Sequence, residues 1–181
     1  SVGAIGVGVS DSTATAKGSS LALLYGSANA GGVIQVESQG ASHADAEATA
    51  LAIAAVGSAE GASTTAIASP TIRAVIGDGQ NSALASATNG VDLIAGSEGD
   101  AHAKTNTIVG SGLVSYGKAS SYAELKPTVE AIVSQGSDVS AALGSLKIAA
   151  THAVTDKLGA LAESWAPGAS GLASLTGSEA T

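Results

Sequence analysis

The chain has no cysteine, no methionine and no phenylalanine, and aromatics make up only 2% of its 181 residues. Without thiols it can build neither a disulfide scaffold nor a thiolate metal site. Without the large side chains that normally fill a globular core, its interior must be assembled from smaller ones. Positive charge is scarce as well. Seven Lys and Arg against fifteen Asp and Glu leave a net charge of −8. Phosphate backbones are gripped by basic patches, so nucleic acid is excluded as a partner. Charged residues are 12% of the chain and apolar ones 45%, the reverse of a disordered tail. No apolar run approaches the ~18 residues of a membrane-spanning helix. No signal peptide is visible, and Ser1 is not a start residue, so the expectation is a chain processed or cut from something longer.

What is present is Ala, with Val, Ile and Leu, and 24 glycines that follow no three-residue period, which excludes collagen. Internal similarity is the strongest signal. ASTTAIASPTIRAVIGDG, from Ala62 to Gly79, aligns with ASSYAELKPTVEAIVSQG, from Ala119 to Gly136, and Pro70 matches Pro127 at an offset of 57. At the same offset, Asp45 to Ala48 falls against His102 to Thr105. A looser copy, SDSTATA from Ser10 to Ala16, matches Ala62 to Ala68 at an offset of 52. The shortfall of five is expected in a loop between Ala28 and Gly40. The copies divide the chain at about 1–52, 53–109 and 110–165, with a partial fourth at 166–181, as in a window on a longer array.

Alternating apolar and polar residues at 44–54, 71–76, 128–133 and 145–151 predict strands with one buried face. Ile72, Ala74 and Ile76 point inward on this pattern, as do Val129, Ala131 and Val133, with Thr71, Arg73, Thr128 and Glu130 outward. Gly77-Asp78-Gly79 and Thr88-Asn89-Gly90 are turn signals, because Gly and Asn tolerate positive φ. A period of 57 divides into three parts of 19. The predicted fold is therefore all-β: a parallel β-solenoid of about 19 residues per coil, three coils per 57-residue repeat. The Ala-rich stretch from Glu124 to Trp165 can also be drawn as helices, although Pro127 would interrupt the first.

The strings VGAIGVGVSDSTATA, ASPTIRAVIGDG and LKPTVEAIVSQG resemble the degenerate repeats of giant filamentous-haemagglutinin-like bacterial adhesins. The resemblance covers nearly the whole chain. It implies a right-handed parallel β-helix, export across the outer membrane, and a place in an extracellular stalk or matrix filament on the bacterial surface.

Candidate chemistry is sparse. His43, His102 and His152 recur about once per repeat, each near an acid, as metal ligands or pH-sensitive groups would. Their spacings of 59 and 50 do not require one common face, and solvated outward positions fit them better. Asp78, Asp92, Glu98, Asp100 and Asp138 are read as acidic turns, which could offer oxygens to calcium. The glycine-rich calcium nonapeptide and the EF-hand spacing are both absent. Trp165, beside Pro167, is read as a packing plug more than as a binding anchor. Tyr25, Tyr116 and Tyr122 are expected on turns or the surface. Ser10 to Thr15 and Ser63 to Thr65 suggest a hydroxyl-rich face of the kind that orders ice, but no Thr row recurs throughout. Acids are not paired for glycoside chemistry, and no nucleophile elbow appears. No residue is assigned as catalytic, cofactor-binding or metal-ligating. The expected role is a non-catalytic structural element that self-associates end to end, with a carbohydrate- or ice-binding module as the alternative and cell-surface glycans as possible partners.

Overall fold

The computed structural model describes residues 2–155 and 159–181. They form fourteen strands and, among the described residues, no helix: β1 (Val2–Ala16), β2 (Ser19–Leu24), β3 (Gly26–Ala30), β4 (Val33–Ala68), β5 (Thr71–Ile76), β6 (Ala83–Ala87), β7 (Gly90–Ser111), β8 (Val114–Leu125), β9 (Thr128–Val133), β10 (Asp138–Ala141), β11 (Ser145–Val154), β12 (Ala160–Trp165), β13 (Gly168–Ser170) and β14 (Ala173–Ala180). The helical reading of Glu124 to Trp165 is replaced by β9 to β12, its part at 156–158 lying outside the described residues.

Every strand pair among the described residues is parallel, and the partners are remote in sequence. Ser19 pairs with Thr71, at an offset of 52. Val33 pairs with Gly90, at an offset of 57, and Ala101 with Ala160, at an offset of 59. The chain therefore makes successive passes, each laid beside the last at the ~4.8 Å spacing of hydrogen-bonded strands.

This overturns the solenoid of 19-residue coils. The strands form one curled eight-stranded sheet, an open half-barrel, and two small flat three-stranded sheets, β2-β5-β9 and β3-β6-β10. Their lengths are uneven, from three residues in β13 to 36 in β4. A 19-residue coil needs a turn every few residues, but residues 33–68 alternate inward and outward with no proline to stop them. The period of 57 is the separation of neighbouring strands, not three coils. The deficit of five is misplaced too. It falls at Tyr25, which alone stands where the next pass has residues 77–82.

The sheet curls because β4 bends. Its first half pairs with β7 and its second with β1 and β8, so the halves face each other. Ala44, Ala46, Ala66, Ala68, Ala101 and Ala103 fill the space between them. Side chains this small let two sheet faces approach closely. Where the two small sheets meet the large one the core widens and takes Ile72, Ile76, Val91 and Leu93, all essentially inaccessible. Ile72, Ala74 and Ile76 point inward as the alternation predicts, with Val129, Ala131 and Val133 packed on the same core.

Candidate functional site

The outward face of β4 and β7 gathers most of the ionisable groups singled out above. Alternation sends His43, Asp45 and Glu47 outward from β4, and Asp100, His102 and Lys104 outward from β7. Strand register then sets them side by side: His43 against Asp100, Asp45 against His102, Glu47 against Lys104. His43 Nδ1 lies 2.7 Å from Asp100 Oδ1. His102 stands between two carboxylates from the passes on either side, with Nδ1 3.7 Å from Asp45 Oδ1 and Nε2 3.5 Å from Glu163 Oε2. Arg73 Nε makes the same kind of link to Glu130 Oε2 at 2.7 Å, between β5 and β9. Polar side-chain contacts between neighbouring strands, with Arg73–Glu130 a pair of opposite charges, tie one pass to the next.

A second set of ties runs inside. Thr64, Thr105 and Ser121 hydrogen-bond through their hydroxyls, with Thr64 Oγ1 2.7 Å from Thr105 Oγ1 and the Ser121 hydroxyl donating to Thr105 Oγ1 at 2.8 Å. Thr64 and Ser121 sit on paired strands, and Thr105 faces them from β7, so this group staples the two halves of the curled sheet. Glu60 is the anomaly of the interior. It is 4% exposed, and its Oε2 has no hydrogen-bond partner. Glycines flank it on both neighbouring strands, Gly8 and Gly117, and a Cβ on Gly8 would come within 2.7 Å of its Oε1. Burial pushes the Glu60 carboxyl above its usual range, opposed by a hydrogen bond from the Ala52 backbone.

The remaining candidates scatter. His152, on β11, pairs with Ser97 of β7 and not with either of the other two histidines. Asp92, Glu98 and Asp100 are not turn residues; all three lie within β7, and Asp138 opens β10. Only Asp78 occupies a turn, between Gly77 and Gly79, both at positive φ. There the Asn81 side chain donates to its carboxylate, as do the backbone N–H groups of Asn81 and Gln80, and together they hold it below its ordinary range. Trp165 is no plug. It is 58% exposed beside Asn106 on the outward face. Tyr25 is exposed between β2 and β3, and Tyr116 and Tyr122 project outward from β8. The Glu124 carboxylate, hydrogen-bonded to Tyr122, holds its phenol above the usual value. The hydroxyl row is short: Thr13 and Thr65 are neighbours, but the next pass puts Tyr122 there.

The arrangement links neighbouring strands. Among the described residues no three His, Asp or Glu are grouped to hold a metal ion, and no helix is long and apolar enough to cross a membrane. Sequence reading missed Glu60, Asp45 and Glu163. Asp45 was accessible from the offset of 57, which already set it against His102. Set against known protein families, curated proteins and solved structures, the chain finds no match.

Proposed function

We propose that this chain is a non-catalytic structural segment of a secreted bacterial surface or matrix protein. The observation that carries the reading is the pass-to-pass stacking, at sequence offsets between 51 and 59, which ties each pass to the next by backbone hydrogen bonds along its length. The Arg73–Glu130 ion pair and the His43–Asp100 hydrogen bond outside, and hydroxyl bonds inside, add to them. The core, of Ala, Ser and Thr in one region and of Ile, Val and Leu in the other, holds no cysteine, so nothing in it is open to thiol oxidation or reduction. The resemblance to filamentous-haemagglutinin-like repeats supports the extracellular placement. Among the described residues β1 and β14 each pair on one side only, and an open strand edge is the usual route to end-to-end association.

Intact cells of the source bacterium, treated with a membrane-impermeant amine reagent, test the placement. Modification of Lys104 and Lys118 before lysis is the expected result. Modification only after lysis contradicts it.

A further inference from the structure

The asparagines stand in different surroundings. Asn29 and Asn106 lie within strands β3 and β7, and are followed by Ala30 and Thr107. Asn81 lies in the turn at 77–82, but its amide nitrogen donates to Asp78 Oδ2 at 2.8 Å, and Ser82 follows it. Asn89 differs from all three. It is exposed in the bend between β6 and β7, and among the described residues its side-chain amide makes no hydrogen bond. The next residue is Gly90, which has no side chain to shield its backbone nitrogen. The fold requires glycine there. Gly90 has φ +148, a conformation that other residues rarely adopt, and a Cβ on it would come within 3.0 Å of the Ser145 carbonyl oxygen. A free amide is thus kept next to an unshielded nucleophile.

We infer that Asn89 is a site of spontaneous deamidation. The Gly90 nitrogen gives its proton to hydroxide and attacks Asn89 Cγ. The Cγ–Nδ2 bond breaks, and ammonia leaves with a proton taken from water. Water then opens the five-membered imide. Attack at Cγ gives aspartate in an unchanged main chain. Attack at the main-chain carbonyl carbon gives isoaspartate, whose main chain runs through Cβ and Cγ. Either product adds one negative charge, and isoaspartate also lengthens the backbone where the stack has no slack. On one side the Asn89 N–H donates to the Gly32 carbonyl at 3.0 Å. On the other the Asn89 carbonyl lies so close to Gly144 that a Cβ there would strike it. Conversion at this residue therefore loosens three successive passes at once. Asp78–Gly79 is the comparable pair of residues, and it is protected. Its acid closes the same ring only in the neutral form, whereas N–H donors from Gln80 and Asn81 stabilise the ionised carboxylate.

Incubation of the folded chain in mildly alkaline buffer, followed by peptide mapping in a mass spectrometer, tests this. Asn89 should lose its amide at least tenfold faster than Asn81, releasing ammonia and giving aspartate and isoaspartate together. Asn89→Gln, whose longer side chain closes the ring poorly, should abolish the fastest phase of ammonia release. The purified isoaspartyl form should melt below Asn89→Asp, which carries the added charge without the longer backbone. Conversion at Asn89 no faster than at Asn81, or conversion only after unfolding in urea, overturns the proposal. So does an isoaspartyl form that melts together with Asn89→Asp, since the stack would then tolerate the longer chain.

Discussion

The interior has two regions built to different rules. Around Ile72, Ile76, Val91 and Leu93 three sheets meet, and the core holds large aliphatic side chains. Between the halves of β4 the sheets lie close, and the same depth is spanned by Ala against Ala, with Ser and Thr hydroxyls bonded across it. The first region draws its stability from volume buried. The second draws it from close approach, regular strand pairing and satisfied polar groups. The two regions should therefore fail in opposite ways.

The largest effect is expected where volume matters. Ile72→Ala should cost about 2–5 kcal/mol, because it opens a cavity that three sheets cannot all collapse to fill. Chemical denaturation checks this. A loss below about 1 kcal/mol would mean that the wide core is loosely packed. The thin region should resent enlargement instead. Ala103→Leu should cost about 1–3 kcal/mol through overpacking, whereas Ala103→Ser should cost less, since serine fits the same space. If leucine there were tolerated as well as serine, the two regions would not differ as described.

The third effect is smaller and depends on pH. Glu60 has a raised pKa in the folded chain, so the folded state binds its proton more tightly than the unfolded one. Stability contributed by this proton is fully present below the unfolded value and is lost as pH rises through the folded one. Glu60→Gln should therefore melt higher than the parent at neutral pH, with the difference closing as pH falls below the ordinary carboxylate range. A difference independent of pH would show that burial of the charge is not the cause. The smallest effect is at the surface. Arg73 and Glu130 are 45% and 41% exposed, so Arg73→Ala should change stability by less than about 1 kcal/mol, and less still in high salt.

Much of this was legible in the residues, though not all in its proper sense. Alternation placed Ile72, Ala74 and Ile76 inward, and the offset of 57 set Arg73 against Glu130 and Asp45 against His102. The same offset misled once it was divided by three. An offset records which residues are equivalent and is silent on whether they are strand neighbours or lie several coils apart. The alternation at 44–54 continues on both sides with no proline and breaks only at the bend near Val56, the sign of a long strand. Trp165 was assigned inward on size alone, but strand parity puts it with Glu163 on the outer face. Glu60 was missed because its burial depends on glycines remote in sequence, and only register brings Gly8 and Gly117 beside it.

Pulling the chain by its two ends tests the central claim, that each pass is held to the next along its length, most directly. Release of one pass of about 57 residues should lengthen the chain by about 200 Å at ~3.5 Å per residue. The expected record is a series of force peaks separated by increments of that size. Increments a third as long, or extension without peaks, would contradict it.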